Sequence, residues 1–213
     1  MEILPLGHAS FKLRGKQATL VTDPYDEKQV GIKFPKHIDA EIVTISHAHP
    51  DHNAAHLIGG SPFIVQGPGE YEIKGISVIG VSSFHDEKNG EERGRNTMYR
   101  IELDGVRFAH LGDIGHVLSS AQVDVIDGVD VLFVPVGGVY TIDAEKAAQI
   151  ISDIDPRIII PMHYGTDTYN KDLAPVSVFL KHIGKEEAVP VPKLTVSKDK
   201  LPTEKQVVVL QAS

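Results

Sequence analysis

Ile45-Ser46-His47-Ala48-His49-Pro50-Asp51-His52 sets three imidazoles and a carboxylate within six residues, directly behind the apolar run Ile42–Ile45. A short β-branched run of that kind reads as a buried strand, so the histidines fall on the loop at its C-terminal end. Such a loop can turn several donors into one space, and imidazole mixed with carboxylate suits zinc or a neighbouring divalent metal. The competing reading is a surface histidine tract that takes up metal adventitiously. It is weakened because the same ligand types recur downstream in matching positions.

Those further donors sit where other strands should end. His85 follows Val78–Phe84, Asp113 closes the run Val106–Asp113, and His163 follows Ile158–Met162. Alone, each reads as an ordinary turn or cap residue. Together with the histidine loop they make a set of seven, enough for two metal sites with positions left for water or substrate.

Short apolar runs recur through the rest of the chain, and Asp104-Gly105 between two of them predicts a hairpin turn. Ala147, Ala148, Ile151 and Ile154 predict one face of a helix after Thr141–Asp143, which offers N-cap oxygens. Val176, Phe179, Leu180 and Ile183 predict a second, with Pro175 in its first turn and Gly184 at its C-terminal cap. A shorter helix is expected from about Asp51 to Leu57, stopping at Gly59-Gly60. The polar stretch Asp86–Arg95 reads as a mobile, solvated loop, and the tail from Lys193 as one peripheral strand. Many strands with few helices imply two packed sheets with helices outside. Val131–Val136 and Ile158–Ile160, apolar on both faces, fit strands covered on both sides.

The length of 213 residues fits one domain spanning residues 1–213. A formal charge of −8 without a dense Lys/Arg block argues against nucleic acid or an anionic membrane as partner. Cysteine is absent, which excludes disulfides, thiol nucleophiles and every zinc site that uses Cys, and fits a reducing, cytoplasmic location. No basic n-region precedes an apolar run at the N-terminus, and no apolar stretch approaches the length of a membrane span.

Read in order, Asp23 in Val21-Thr22-Asp23-Pro24, the His47–His52 run, His85, Asp113 and His163 resemble the five motifs of the metallo-β-lactamase superfamily. The likeness runs from Leu6-Gly7-His8-Ala9-Ser10 to His163-Tyr164-Gly165. The segments Gly7-His8-Ala9-Ser10-Phe11, His110-Leu111-Gly112-Asp113 and Pro135-Val136-Gly137-Gly138 resemble the branch that holds L-ascorbate-6-phosphate lactonase and its relatives. The resemblance implies an α/β fold, a four-layer αββα sandwich of two mixed sheets flanked by helices. It implies that His47, His49 and His85 hold one metal, that Asp51, His52 and His163 hold a second, and that Asp113 bridges them. Asp23 would accept hydrogen bonds from the His47–His52 loop, or else form a plain Asp-Pro turn. The cofactors implied are two divalent ions, zinc first, with manganese or iron as alternatives. The chain departs from the secreted β-lactamases in lacking a Cys ligand, and from the di-iron electron-transfer relatives in lacking H-x-E-x-D.

The activity so implied is a metal-dependent hydrolase, in which a metal-bridging hydroxide attacks a small ester, lactone or phosphoester. Asp51 would bind metal through one oxygen and carry a proton on the other. His8 and His116 are further catalytic candidates. His8 would bind substrate or donate a proton, or else be a satisfied structural histidine; His116 would face the same cavity, or else serve its loop. His110 reads as a buried, hydrogen-bonded support, Asn96 as a cap or a substrate contact, and Gly137–Thr141 as a flexible turn whose N–H groups could meet an anion. His37, His56 and His182 read as surface residues. A small molecule is the expected partner, and exposed sheet edges leave self-association open. Two rival functions remain: a non-catalytic metal-binding module, and an iron-dependent oxygenase of the same superfamily.

Overall fold

Apolar runs between turn residues become thirteen strands in the computed structural model, which describes residues 1–211. The first five are β1 (Glu2–Gly7), β2 (Ser10–Arg14), β3 (Thr19–Thr22), β4 (Ile42–Ile45) and β5 (Phe63–Gln66). Next come β6 (Gly69–Ile73), β7 (Ile76–Phe84), β8 (Arg95–Leu103) and β9 (Val106–His110). β10 (Val131–Pro135) and β11 (Ile158–Met162) alternate with helices, and the tail supplies β12 (Leu194–Thr195) and β13 (Gln206–Val207). The helices are α1 (Glu27–Val30), α2 (Ser120–Ile126), α3 (Ala144–Ile154) and α4 (Val176–His182). Among the described residues, no helix is long and apolar enough to cross a membrane.

Two mixed sheets result, ordered β12-β1-β2-β3-β4-β5 and β13-β11-β10-β9-β8-β7-β6. Their facing sides share one core, with Phe11, Leu13, Leu20 and Ile42 from the first sheet and Val78, Ile101, Phe108 and Phe133 from the second. Side chains alternate along a strand. Val131 and Phe133 therefore enter this core, while Leu132 and Val134 enter a second one beneath α3 and α4, with Ala147, Ile150, Ile151 and Phe179. That division explains why β10 is apolar at every position. Burying a side chain the size of Phe133 stabilises by about 1.5–3 kcal/mol. Over the first sheet the outer layer is thin: α1 and the chain around Tyr25, Phe34 and Ala40 cover Leu6, Val21 and Val43. The four-layer sandwich is present, with its helical layers unequal.

Local chemistry shaped several elements as expected. Asp104 and Gly105 both have positive φ, at 53° and 74°, and close the hairpin with Leu103 opposite Val106. Asp143 caps α3 by accepting the Lys146 N–H, and Gly184 takes φ 64° just beyond α4, with Pro175 at the N-cap of α4 rather than inside its first turn.

Three expectations are corrected. Asp51–Leu57 is no helix; only a short 3-10 turn forms over Ala55–Leu57. The His52 N–H turns back to the His49 carbonyl, and that of Ala54 goes to Pro24. A helix would rotate neighbouring side chains by about 100°, which would separate Asp51 from His52. Asp86–Arg95 is organised rather than loose: the Asp86 carboxylate is buried and accepts N–H bonds from Lys88, Gly90, Glu92 and Arg93 at 2.8–3.1 Å. The tail forms two short strands, one at the edge of each sheet, because β12 pairs with β1 and β13 with β11.

Candidate metal centre

Strand direction gathers the donors. β1, β3 and β4 are mutually parallel within the first sheet, as are β7, β9 and β11 within the second. Past their C-terminal ends come His8, Asp23, the His47–His52 loop, His85, Asp113 and His163. His8, Asp23 and His163 all sit at positive φ, at 55°, 38° and 52°. For residues other than glycine this backbone is strained and persists only where surrounding contacts impose it.

At the middle lies Asp113. Its Oδ2 stands 3.0 Å from His163 Nε2, 3.2 Å from His52 Nε2, 3.3 Å from His85 Nε2 and 3.9 Å from His47 Nε2. Donor atoms of His47, His49 and His85 all lie within 4.8 Å of one another. So do those of His8, Asp51, His52 and His163, and those of His47, His52 and Asp113. The seven residues singled out in the sequence thus form two groups with Asp113 between them, and His8 joins the second group.

Donor chemistry favours a cation here. His47 Nε2, His52 Nε2 and Asp113 Oδ1 are buried and make no well-aligned hydrogen bond. Leaving such a group without a partner costs about 1–3 kcal/mol. Several lone pairs aimed at one point would be costly for packing, and they suit a divalent ion with nitrogen and oxygen ligands.

Neighbouring residues orient the donors. Asp23, fully buried, accepts hydrogen bonds from Ser46 N at 2.8 Å, Ser46 Oγ at 2.6 Å and His52 Nδ1 at 2.9 Å. With its hydroxyl proton given to Asp23, Ser46 Oγ accepts from His47 Nδ1 at 2.9 Å. Both rings therefore carry a proton on Nδ1 and turn Nε2 towards the centre, where a bound cation would replace any proton on that nitrogen. Asn96 donates to Ser83 Oγ and the Leu111 carbonyl, and its Oδ1 accepts the Asp113 N–H at 3.0 Å, so it positions the central carboxylate. His110 bonds the Ala9 carbonyl through Nε2 and accepts the Gly112 N–H on Nδ1, tying the two sheets beneath the site. The plain Asp-Pro turn for Asp23 and the substrate contact for Asn96 both give way to these roles.

Charges follow the geometry. Burial opposes ionisation of Asp113, yet His163 and His52 hold its carboxyl well below the usual range. Asp51 is likewise held low: burial resists, but the His8 imidazole 3.6 Å away and the charge on His52 prevail. Burial lowers His8 to about 4 and His47 to about 3. His52 goes the other way, because Asp113 and Asp23 outweigh its burial and raise it well above the ordinary histidine value.

His8 Nδ1 accepts from Asn170 Nδ2 at 2.9 Å, which leaves the ring proton on Nε2, 3.6 Å from Asp51 Oδ2. His116 is a correction. Its Nδ1 bonds the Val117 carbonyl at 2.7 Å and its Nε2 accepts the Phe84 N–H at 3.2 Å. Both ring nitrogens are spent on main chain, and the ring does not line the cleft. His37, His56 and His182 are exposed. Ser46 and Asn170 went unread in the sequence; Ser46, between strand and first histidine, carried a signal in its place, whereas Asn170 carried none.

The centre opens into a cleft of about 560 Å³, whose other wall includes Gln29, Arg93, Tyr140, Asn170, Asp172 and Leu173. A second cavity of about 600 Å³ lies on the other side of His8, which lines both.

Two packed mixed sheets with a histidine/aspartate centre at their strand ends define the class of metallo-hydrolase sandwiches. The family model for the β-lactamase superfamily domain matches residues 2–163, and the chain belongs to that superfamily as a metal-dependent hydrolase. A crystal structure of a candidate Zn-dependent hydrolase of the metallo-β-lactamase superfamily from Thermotoga maritima is 38% identical, with a TM-score of 0.84, covering 100% of this chain and 99% of that one. A UPF0173 metal-dependent hydrolase from Thermococcus onnurineus is 27% identical over 76% of this chain and 83% of its own length. A UPF0173 protein of Pyrococcus furiosus is 31% identical over 78% of this chain and 84% of its own.

Proposed function

We propose that this chain works as a single domain that hydrolyses a small ester, lactone or phosphoester with two divalent cations, zinc foremost. His47, His49 and His85 would hold one cation, and Asp51, His52 and His163 the other, with Asp113 shared. When bound, such ions supply a water of lowered pKa and polarise the scissile oxygen. The observation that carries this reading is Asp113 Oδ2, set among four imidazole Nε2 atoms at 3.0–3.9 Å.

Asp51 faces the cleft with its side chain 26% exposed, so one oxygen can serve a cation while the other takes a proton from the attacking water. His8, neutral at pH 7 and with its proton on Nε2, can donate a hydrogen bond to that carboxylate or to a substrate oxygen. Asp23 and Ser46 hold the imidazoles in the tautomer that this arrangement needs. The volume of the cleft falls within the range typical of small-molecule sites.

Metal analysis paired with a panel of ester, lactone, phosphodiester and β-lactam substrates tests this. Expected are more than one equivalent of Zn, Mn or Fe and loss of turnover in the His47→Ala/His49→Ala double variant. Less than one equivalent of metal, together with unchanged activity in that variant, refutes the proposal. Metal-dependent melting without any turnover would instead favour a binding module, and oxygen consumption with iron an oxygenase.

A further inference from the structure

Arg93 is the single Lys or Arg among the described residues that line the cleft. Its backbone is anchored: the N–H donates to Asp86 Oδ2 at 2.8 Å, and Asp86 follows His85 directly in the chain. The carboxylate of Asp86 gathers four N–H groups of this loop, so the base of Arg93 is fixed one residue from the metal centre. Gly115 packs against the backbone of His85 and Asp86 where no Cβ would fit, which secures the same point from below.

The guanidinium is steered as well. Its carbon lies 5.9 Å from the centroid of the Tyr140 ring, and Nη2 donates to the Val139 carbonyl at 3.4 Å. Val139 holds φ 60°, a strained backbone for a β-branched residue, while 59% of it is exposed. The turn is braced by Gly138, whose carbonyl accepts the Tyr140 N–H at 2.6 Å. Tyr140 keeps 47% of its surface in solvent although it borders the cleft. Among the described residues its carboxylate neighbour is Glu92, which pairs with it loosely at 3.7 Å through one oxygen while Lys88 holds the other oxygen at 2.6 Å. An arginine has five donors in a planar fork, shaped for carboxylate or phosphate oxygens, and an aromatic face holds that fork flat.

We propose that Arg93 and Tyr140 form the specificity lip of the cleft, receiving a carboxylate or phosphate group that the substrate carries away from its scissile bond. The proposal rests on the hydrolase reading and narrows its substrates to anions. The cleft also carries Asp172, which is exposed. Recognition therefore depends on the local fork of Arg93 and not on a general positive field.

Isothermal titration of the metal-loaded protein with glutarate, and separately with inorganic phosphate, tests the lip. Arg93→Met should weaken binding of at least one of these anions by tenfold or more with metal content unchanged. Arg93→Lys should recover part of the loss, and Tyr140→Leu should lose several-fold. Whichever anion responds identifies the charged group as carboxylate or phosphate. With 4-nitrophenyl butyrate and mono-(4-nitrophenyl) glutarate as a neutral and charged pair, Arg93→Met should raise KM for the charged ester alone. Equal anion binding by wild type and Arg93→Met, or no binding of either anion by wild type, overturns the proposal. Metal content and turnover in His47→Ala/His49→Ala report separately on the hydrolase reading, so the two can fail independently.

Discussion

Asp23 Oδ2 lies 2.9 Å from Nδ1 of His52, and both side chains are fully buried. The same carboxylate controls His47 through the hydroxyl of Ser46. One acid at the end of β3 thus sets the ring orientation of two donors on the next strand's loop. A hydrogen-bonded carboxylate behind a ligating imidazole typically contributes 10–100-fold to metal affinity. Asp23→Asn should lower zinc affinity by about that factor. Competition with a chromogenic chelator measures it, and circular dichroism checks the fold. Affinity equal to wild type would mean that the bond does not act on the metal.

Asp51 is the proton carrier in the proposed reaction. Removing a general base or acid typically costs 10²–10⁴ in rate. Asp51→Asn should therefore lose turnover by at least about 100-fold, and metal analysis should show weaker occupancy of one site. A variant that retains wild-type turnover on the best substrate of the panel would remove Asp51 from the mechanism.

His116 should behave as a structural residue. His116→Ala leaves the Phe84 N–H without its acceptor. That should destabilise the fold by about 1–3 kcal/mol, read as a lower midpoint in urea. Metal content should stay unchanged. A fall in metal content or turnover at unaltered stability would return this histidine to the site.

Acid should destabilise the metal-free protein. His8 at about 4 and His47 at about 3 lie below the unfolded histidine value, and burial lowers His49 and His110 too. Their unfolded forms bind more protons, so the stability they contribute is present above about pH 6.5 and is lost as pH falls below it. His52 has the opposite sign, since its raised value stabilises the fold below about pH 6.5 and that gain fades as pH rises through the folded value. Four groups of one sign thus stand against one of the other. The Tm of chelator-treated protein should fall steadily from pH 7 to pH 4. A Tm that rises over that window would show that His52 dominates instead.

How much of this was legible depended on whether the signal was local. The histidine loop announced itself because its donors fall within six residues, and β4 before it is a β-branched run buried at every position. Asp104-Gly105 and the Asp143 cap were readable because turn and cap chemistry act over two to four residues. The helix expected at Asp51–Leu57 failed because the centre draws Asp51 and His52 to one side, a demand from outside the segment. The order of the loop Asp86–Arg95 is not legible in the sequence because composition records polarity, not the direction in which four N–H groups point.

By itself the chain determined which donors exist, where strands should end in front of them, and which family of sandwiches they resemble. Tertiary structure alone decided that Asp113 takes the middle, that His8 joins the group of Asp51, His52 and His163 while His116 turns away, and that Arg93 reaches the cleft. The division has a physical cause. Backbone conformation follows from neighbours in sequence, whereas a shared centre needs residues more than a hundred positions apart to meet within a few ångströms. Only the packing of the two sheets brings them there.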